Sequence, residues 1–281
     1  MKPRNLLLLL VLAVVLGVGG IWLGTARHSP APPAGEGSPA LPGLAARLEK
    51  AASLVITRDG RTLTLQRDGD TWRIAEKAGY PAEPEALHAL LSGLAGLRLV
   101  EPRTADPALY ARLGVGDPPA DKDATLVRVL DAAQAPLAAL ILGHRRSAPS
   151  GAPGEQLYVR IPGQPTSWLA EGKVEASADP TLWTGRDLTN IPPDRMQDAT
   201  LQAGGNTLAF TRADGHWRLT APAEHGPLDD AKVQDVARAF EYLVFMDVTR
   251  AADQPGTPIG DSVFHTTDGL TLTAHVSRAG Q

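Results

Sequence analysis

The sequence predicts an α+β fold: an N-terminal transmembrane helix, then two duplicated units, each a mostly antiparallel sheet packed against one helix. Three observations carry that prediction. Residues 6 to 24 form an apolar run without charge. Two Trp-Arg-aliphatic strands, Trp72-Arg73-Ile74 and Trp217-Arg218-Leu219, each follow an alternating segment and a tight turn. A helix-period apolar stripe then follows each of them. The copies lie about 145 residues apart, too far for a solenoid repeat and suited to a duplicated domain or half-domain.

The apolar run comes first. At about 1.5 Å of rise per residue it spans roughly 28 Å, close to the hydrocarbon thickness of a bilayer. Lys2 and Arg4 precede it and Trp22 sits near its end. This predicts a cytoplasmic tail at 1–5, an anchor at 6–24 and the bulk of the chain outside the cytoplasm. A cleaved signal peptide is the alternative, with Gly24-Thr25-Ala26 as its cleavage site; the run is long for that, so the uncleaved anchor is favoured. Residues 25–50 are dense in Pro, Gly and Ser at their start and are expected to be a linker.

The first unit, with its connector, is assigned to 51–190. Leu54 to Thr57 and Thr62 to Arg67 flank Asp59-Gly60, a hairpin signature, because a tight hairpin turn needs positive φ. A second turn leads into Thr71 to Ile74. Leu63, Leu65, Trp72 and Ile74 alternate onto one face, which needs a cover. Leu87, Leu90, Leu91, Leu94 and Leu97 supply it at helical spacing, with Pro84 in the first turn and Glu83 and Glu85 at the positive end of the helix dipole.

The second unit, 191–281, repeats the pattern with Val233, Val236, Ala237, Phe240 and Leu243 as the stripe and Asp229 and Asp230 as the acidic start. Hairpins are expected at 125–130 with 137–142 and at 263–266 with 270–275. The first unit adds strands at 156–161 and 167–170 that the second does not match, so the second reads as shortened. Either the sequence stops early or the sheet offers an open edge for strand addition.

The chemistry is sparse. There is no cysteine, which removes disulfides, thiolate metal sites and cysteine nucleophiles. A formal net charge of −4 argues against nucleic acid as a partner. Seven histidines are scattered without zinc-site spacing, although His265 and His275 on one hairpin could approach His216. No phosphate-loop, dinucleotide or nucleophile-elbow pattern occurs, so no catalytic residue, cofactor or metal is assigned. Gly93 and Gly96 form a small-residue pair for close helix–sheet packing. Asp68, Asp70 and Asp214 sit in turns for backbone reasons. Trp72 and Trp217 are expected in the cores. Four residues remain as candidate partner contacts: the basic cluster His144, Arg145 and Arg146, and Trp183, which could wedge the two units together.

The paired Trp-Arg-(Ile/Leu) segments, each followed by a helix opening on Pro-x-(Glu/Asp), resemble the DUF4340 family of uncharacterised bacterial membrane-anchored proteins. Ser177-Ala178-Asp179-Pro180 through Trp183-Thr184-Gly185-Arg186-Asp187-Leu188 resembles the family's connector, and Thr266-Thr267-Asp268-Gly269-Leu270 its late hairpin. The resemblance covers about residues 50 to 281. It carries no catalytic residues; some members resemble companions of gliding-motility-type ABC transport systems. The expected function is therefore a non-enzymatic binding or accessory protein of the bacterial cytoplasmic membrane, facing the periplasm. Its partners would be the membrane, through residues 6–24, and ABC-type transporter subunits or another envelope protein. An envelope hydrolase with an unrecognised acidic site and a purely structural spacer are the alternatives.

Overall fold

The computed structural model describes residues 35–146, 154–253 and 256–278. The expected anchor and its possible cleavage site lie outside them. Among the described residues, no helix is long and apolar enough to cross a membrane. The described chain is rich in sheet and poor in helix, as expected.

The first unit opens on a meander of β1 (Ser53–Arg58), β2 (Arg61–Asp68) and β3 (Thr71–Ile74). Asp59 and Gly60 join β1 to β2 at φ 46° and 72°, the positive pair that matches a hairpin turn to strand twist. The short β4 (Tyr80–Pro81) pairs with β3, and helix α1 (Pro84–Gly96) follows. Pro84 stands at the start of α1, where its missing N–H costs nothing. Leu87, Leu90 and Leu94 press into one core with Leu54, Ile56, Leu63, Leu65 and Ile74. Trp72 joins that core partly buried.

Next come β5 (Arg98–Pro102), a helical turn α2 (Tyr110–Leu113), β6 (Thr125–Leu130), β7 (Pro136–Arg146), β8 (Gln156–Arg160) and β9 (Ser167–Glu171). The nine strands run β4-β3-β2-β1-β6-β7-β8-β9-β5. Helix α1 thus leaves one edge of the sheet and delivers the chain to the other. Its 13 residues reach only about 20 Å, whereas nine strands laid flat span about 38 Å. The sheet must therefore curl around the helix, with the core in the hollow.

The linker assignment of 25–50 needs correction in its described part. Gly37 and Ala40 donate backbone hydrogen bonds to Leu99 and Leu97, and Pro39 bridges to Arg98, extending the sheet beyond β5. Ala40, Leu41 and Leu44 are buried in the core. Three apolar residues among prolines carry too little periodicity to reveal this in sequence.

The second unit contains β10 (Asp187–Thr189), β11 (Met196–Ala203), β12 (Asn206–Ala213), β13 (His216–Ala221), α3 (Asp230–Val236), β14 (Leu243–Val244), β15 (Thr257–Thr266) and β16 (Thr271–Arg278). Because β10 pairs with β14, its hydrogen bonding starts a few residues before the expected boundary at 191. The sheet order is β13-β12-β11-β15-β16, the order of β3-β2-β1-β6-β7. Register is shared too. Leu54↔Leu65 corresponds to Ala199↔Phe210, and Arg67↔Trp72 to Arg212↔Trp217.

The second helix is shorter than its stripe. Asp229 caps α3 by accepting from the Ala231 N–H at 3.0 Å, but the helix stops at Val236. The chain then continues through three-residue turns, Ala237 to Gln234 and Arg238 to Asp235 among them, to Tyr242 at φ 50°. Val233, Val236, Asp235 and Phe240 all have weaker helix propensity than the Ala and Leu of α1. Val233, Ala237 and Phe240 are nevertheless buried, so the stripe keeps its face while losing its hydrogen-bond pattern.

Of the small pair in α1 only Gly93 packs closely, and against the connector rather than the sheet. A Cβ on Gly93 would collide with the carbonyl oxygen of Lys173, whereas Gly96 faces open space. Gly93→Ala is expected to cost about 1–3 kcal/mol, because overpacking against a backbone atom outweighs the roughly 1 kcal/mol gain in helix propensity. Gly96→Ala should cost nothing. Denaturant titration of the two variants measures the difference.

Candidate functional site

The basic cluster sits where β7 leaves the core. Gly143 has no room for a side chain against the Leu113 carbonyl, and the register shifts between Leu142 and Arg145. Beneath it, the loop carrying α2 is held on the sheet by buried Arg160. Its guanidinium lies 4.6 Å above the Tyr110 ring, donates to the Val115 carbonyl at 2.8 Å and pairs with Asp117 at 2.6 Å.

Beyond the bulge, His144, Arg145 and Arg146 are exposed, but each has an acidic neighbour. His144 Nε2 stands 3.5 Å from Asp123. Arg145 pairs with Glu155 and donates to the Val174 carbonyl at 2.8 Å, tying the connector to β7. Arg146 lies 3.8 Å from Glu101, which also pairs with Arg103. The shallow depression alongside is lined by Arg98, Lys173, Glu155 and Glu171, of both signs. The cluster therefore presents no concentrated basic face for an anionic polymer.

Trp183 does not belong with them. It is 3% exposed, packs in the first core, donates from Nε1 to the Ser177 carbonyl at 2.9 Å and accepts from the Glu83 N–H at 2.7 Å. As a partner contact it has no free face, and it pins the connector to the start of α1 without wedging the two units apart or together.

The histidines do not converge. His265 Nδ1 lies 2.6 Å from Asp198 and His275 Nδ1 2.8 Å from Asp261, both on the outer face of the second sheet. His216 is on β13, at the opposite edge from His275. Among the described residues, no group of three metal-ligating side chains is found.

Three carboxyls are held below their ordinary range. The Thr181 backbone N–H and hydroxyl lower Asp179; the Lys77 ammonium, then the Val248 N–H, lower Asp247; the Thr266 hydroxyl, then Arg195, lower Asp268. A general acid needs the opposite shift. Since folding favours their ionised forms, they stabilise the protein at neutral pH and lose that effect as pH falls. Thermal midpoints should hold from pH 7 to about 5 and drop below about pH 4. Asp247→Asn should flatten the drop; a profile that rises on acidification contradicts the assignment.

The surface that sequence reasoning missed is at the junction between the units. Leu188, Tyr242, Val244 and Met246 are exposed on or beside the β10–β14 ribbon, Tyr242 at 73% and Met246 at 80%. Their neighbours point inward: Leu243 packs on the second core, and Phe245 meets Tyr80 of the first unit edge-on at 5.6 Å. Lys77 and Asp247 join across the same junction at 2.5 Å, and the Phe245 N–H donates to Arg186. The alternation of Tyr242, Val244 and Met246 with Leu243 and Phe245 is a period-two signal, hidden when Leu243 is assigned to a helical stripe.

No curated protein and no solved structure matches the chain. The model of DUF4340, a domain of unknown function, matches residues 72–259. That match runs from the first Trp-Arg strand through the connector and α3 into β15, so the chain belongs to the DUF4340 family.

Proposed function

We propose that this protein is a membrane-tethered, extracytoplasmic accessory protein that acts by binding another envelope protein, as an auxiliary of an ABC-type transport system. The observation that carries the reading is the apolar ribbon at the junction. Exposed large side chains scattered singly need no explanation, but four gathered on one short ribbon mark an interaction surface. The tether is residues 6–24, and the two sheet-and-helix units descend from one duplicated unit. The shared strand order and register support that descent.

Two experiments test this. Alkaline phosphatase fused to the C-terminus should be active, since Lys2 and Arg4 orient the anchor with its tail inside; an inactive fusion overturns the topology. A photocrosslinking residue at Tyr242 or Met246, in membranes, should capture a transporter permease or a second auxiliary subunit, identified by mass spectrometry. Capture of neither, together with turnover of a cell-wall substrate by residues 35–281, would favour the hydrolase reading instead.

A further inference from the structure

One residue of the ribbon is held in a conformation that its side chain disfavours. Tyr242 has φ 50°, in the left-handed region. The Cβ of an L-residue crowds the backbone there, so glycine usually fills such a position past a helical end. Five non-glycine residues among those described take positive φ, and Tyr242 is the one aromatic. The surrounding hydrogen bonds fix the turn. The Phe240 carbonyl accepts from the Thr189 hydroxyl at 3.0 Å and from the Ile191 N–H at 2.9 Å. The Tyr242 N–H donates to the Asn190 side chain at 3.3 Å, and the chain must reverse at once into β14.

The ring gives the fold nothing in return. It is 73% exposed and takes part in neither aromatic pair, Tyr80 with Phe245 or Phe240 with Phe264. Its hydroxyl has no hydrogen-bond partner among the described residues; the bond to Asn190 comes from the backbone. A bulky side chain kept in a strained position without a packing role points to a use outside the chain.

We infer that Tyr242 is the anchor of the ribbon, inserting its ring into an apolar pocket on the extracytoplasmic side of a protein in the same membrane. Tyrosine suits the role, because it buries a large rigid area while only two side-chain torsions are fixed. Leu188, Val244 and Met246 surround it and exclude water from the seat. The tether selects the occupant. Residues 25–34 separate the proposed anchor from Gly35, a reach of at most about 35 Å. Ala40 then fastens the chain to Leu97 past the end of α1, while Glu83 at its start holds the connector that leads to the ribbon. One helix length, roughly 20 Å, thus lies between the entry of the chain and the ribbon. At that reach the ribbon meets the extracytoplasmic parts of its membrane neighbours. The inference rests on the tethering and binding role proposed above and names the residue on which that role turns.

The test uses the full chain in membranes, with a photocrosslinking residue at Met246 as the probe. Tyr242→Gly and Tyr242→Ala should each lower the yield of captured partner at least about tenfold, the loss of one hot-spot side chain. The two variants part in stability, read as thermal midpoints of the full chain in detergent. Tyr242→Gly removes ring and strain together and should melt about 2–4 °C above the parent, the relief exceeding the freedom glycine adds to the unfolded chain. Tyr242→Ala keeps the Cβ and its strain and should melt within about 2 °C of the parent. A smaller fall in capture by either variant overturns the proposal, as does a glycine variant that melts no higher than the parent. An alanine variant that melts lower than that range gives the ring a role in the fold and overturns it too. A parent that captures nothing fails the binding role of the ribbon, and the anchor with it; capture by parent and variants alike fails the anchor alone.

Discussion

Trp183→Ala is expected to destabilise the first unit by about 3–5 kcal/mol, the range for deleting a large buried aromatic side chain. Three losses add up. The ring leaves a cavity against the first core, the Ser177 carbonyl loses its 2.9 Å donor, and the connector is freed from the start of α1. Trp183→Phe should cost less, because most of the cavity is filled and only the hydrogen bond is lost, about 1–3 kcal/mol. Denaturant titration followed by far-UV circular dichroism measures both. A midpoint that hardly moves would return Trp183 to the role of a partner contact.

Trp217→Ala should also cost about 3–5 kcal/mol, and more than Trp72→Ala. The two tryptophans occupy corresponding register positions, yet Trp217 is 5% exposed and Trp72 only partly buried. Burial scales with area removed from water, so Trp72→Ala should cost about 1.5–3 kcal/mol. Trp217 offers a second contrast. Its Nε1–H is buried without a partner, and Trp217→Phe removes that unmatched donor. Relief of such a donor, worth about 1–3 kcal/mol, offsets much of the lost packing, so the phenylalanine variant should stay within about 1 kcal/mol of the parent. Thermal unfolding of the three variants orders them. Equal effects at 72 and 217 would contradict the burial difference.

How much of this was legible depends on the kind of signal. The meanders, the hairpins at 125–142 and 263–275 and the helix over Leu87 to Leu94 were readable, because period-two alternation, Asp-Gly turns and a leucine stripe are local. The second helix was readable in face but not in length, since Val233, Val236 and Phe240 give the right spacing with poor propensity. Closure of the first sheet by β5 and residues 37–40 was not readable. It depends on a helix carrying the chain across a curled sheet, a property of the whole unit. Among the candidate contacts, the exposure of His144, Arg145 and Arg146 followed from their charge. The acids that answer them, Glu101, Asp123 and Glu155, come from other segments, and nothing local marks the pairing. The burial of Trp183 is illegible for the same reason: its partners, Ser177 and Glu83, meet only once the connector lies along α1.

The shared register has a consequence for the nascent chain. While both units are still forming, each strand has two possible neighbours, and β1 could zip onto β12 or β15 as readily as its backbone allows. Side-chain volume discriminates between them. In the first sheet Leu54 stands between Leu65 and Val129, three residues of similar bulk. In the second, Ala199 stands between Phe210 and Phe264, one small residue flanked by two large ones, with Phe240 edge-on to Phe264 at 5.0 Å. A hybrid that places Leu54 between the two phenylalanines is overfilled, and one that places Ala199 between Leu65 and Val129 is hollow. Either error costs on the order of 1–3 kcal/mol at a single rung, repeated along the ladder. The two halves have thus drifted into different steric dialects, and each strand can be understood only by its own sheet.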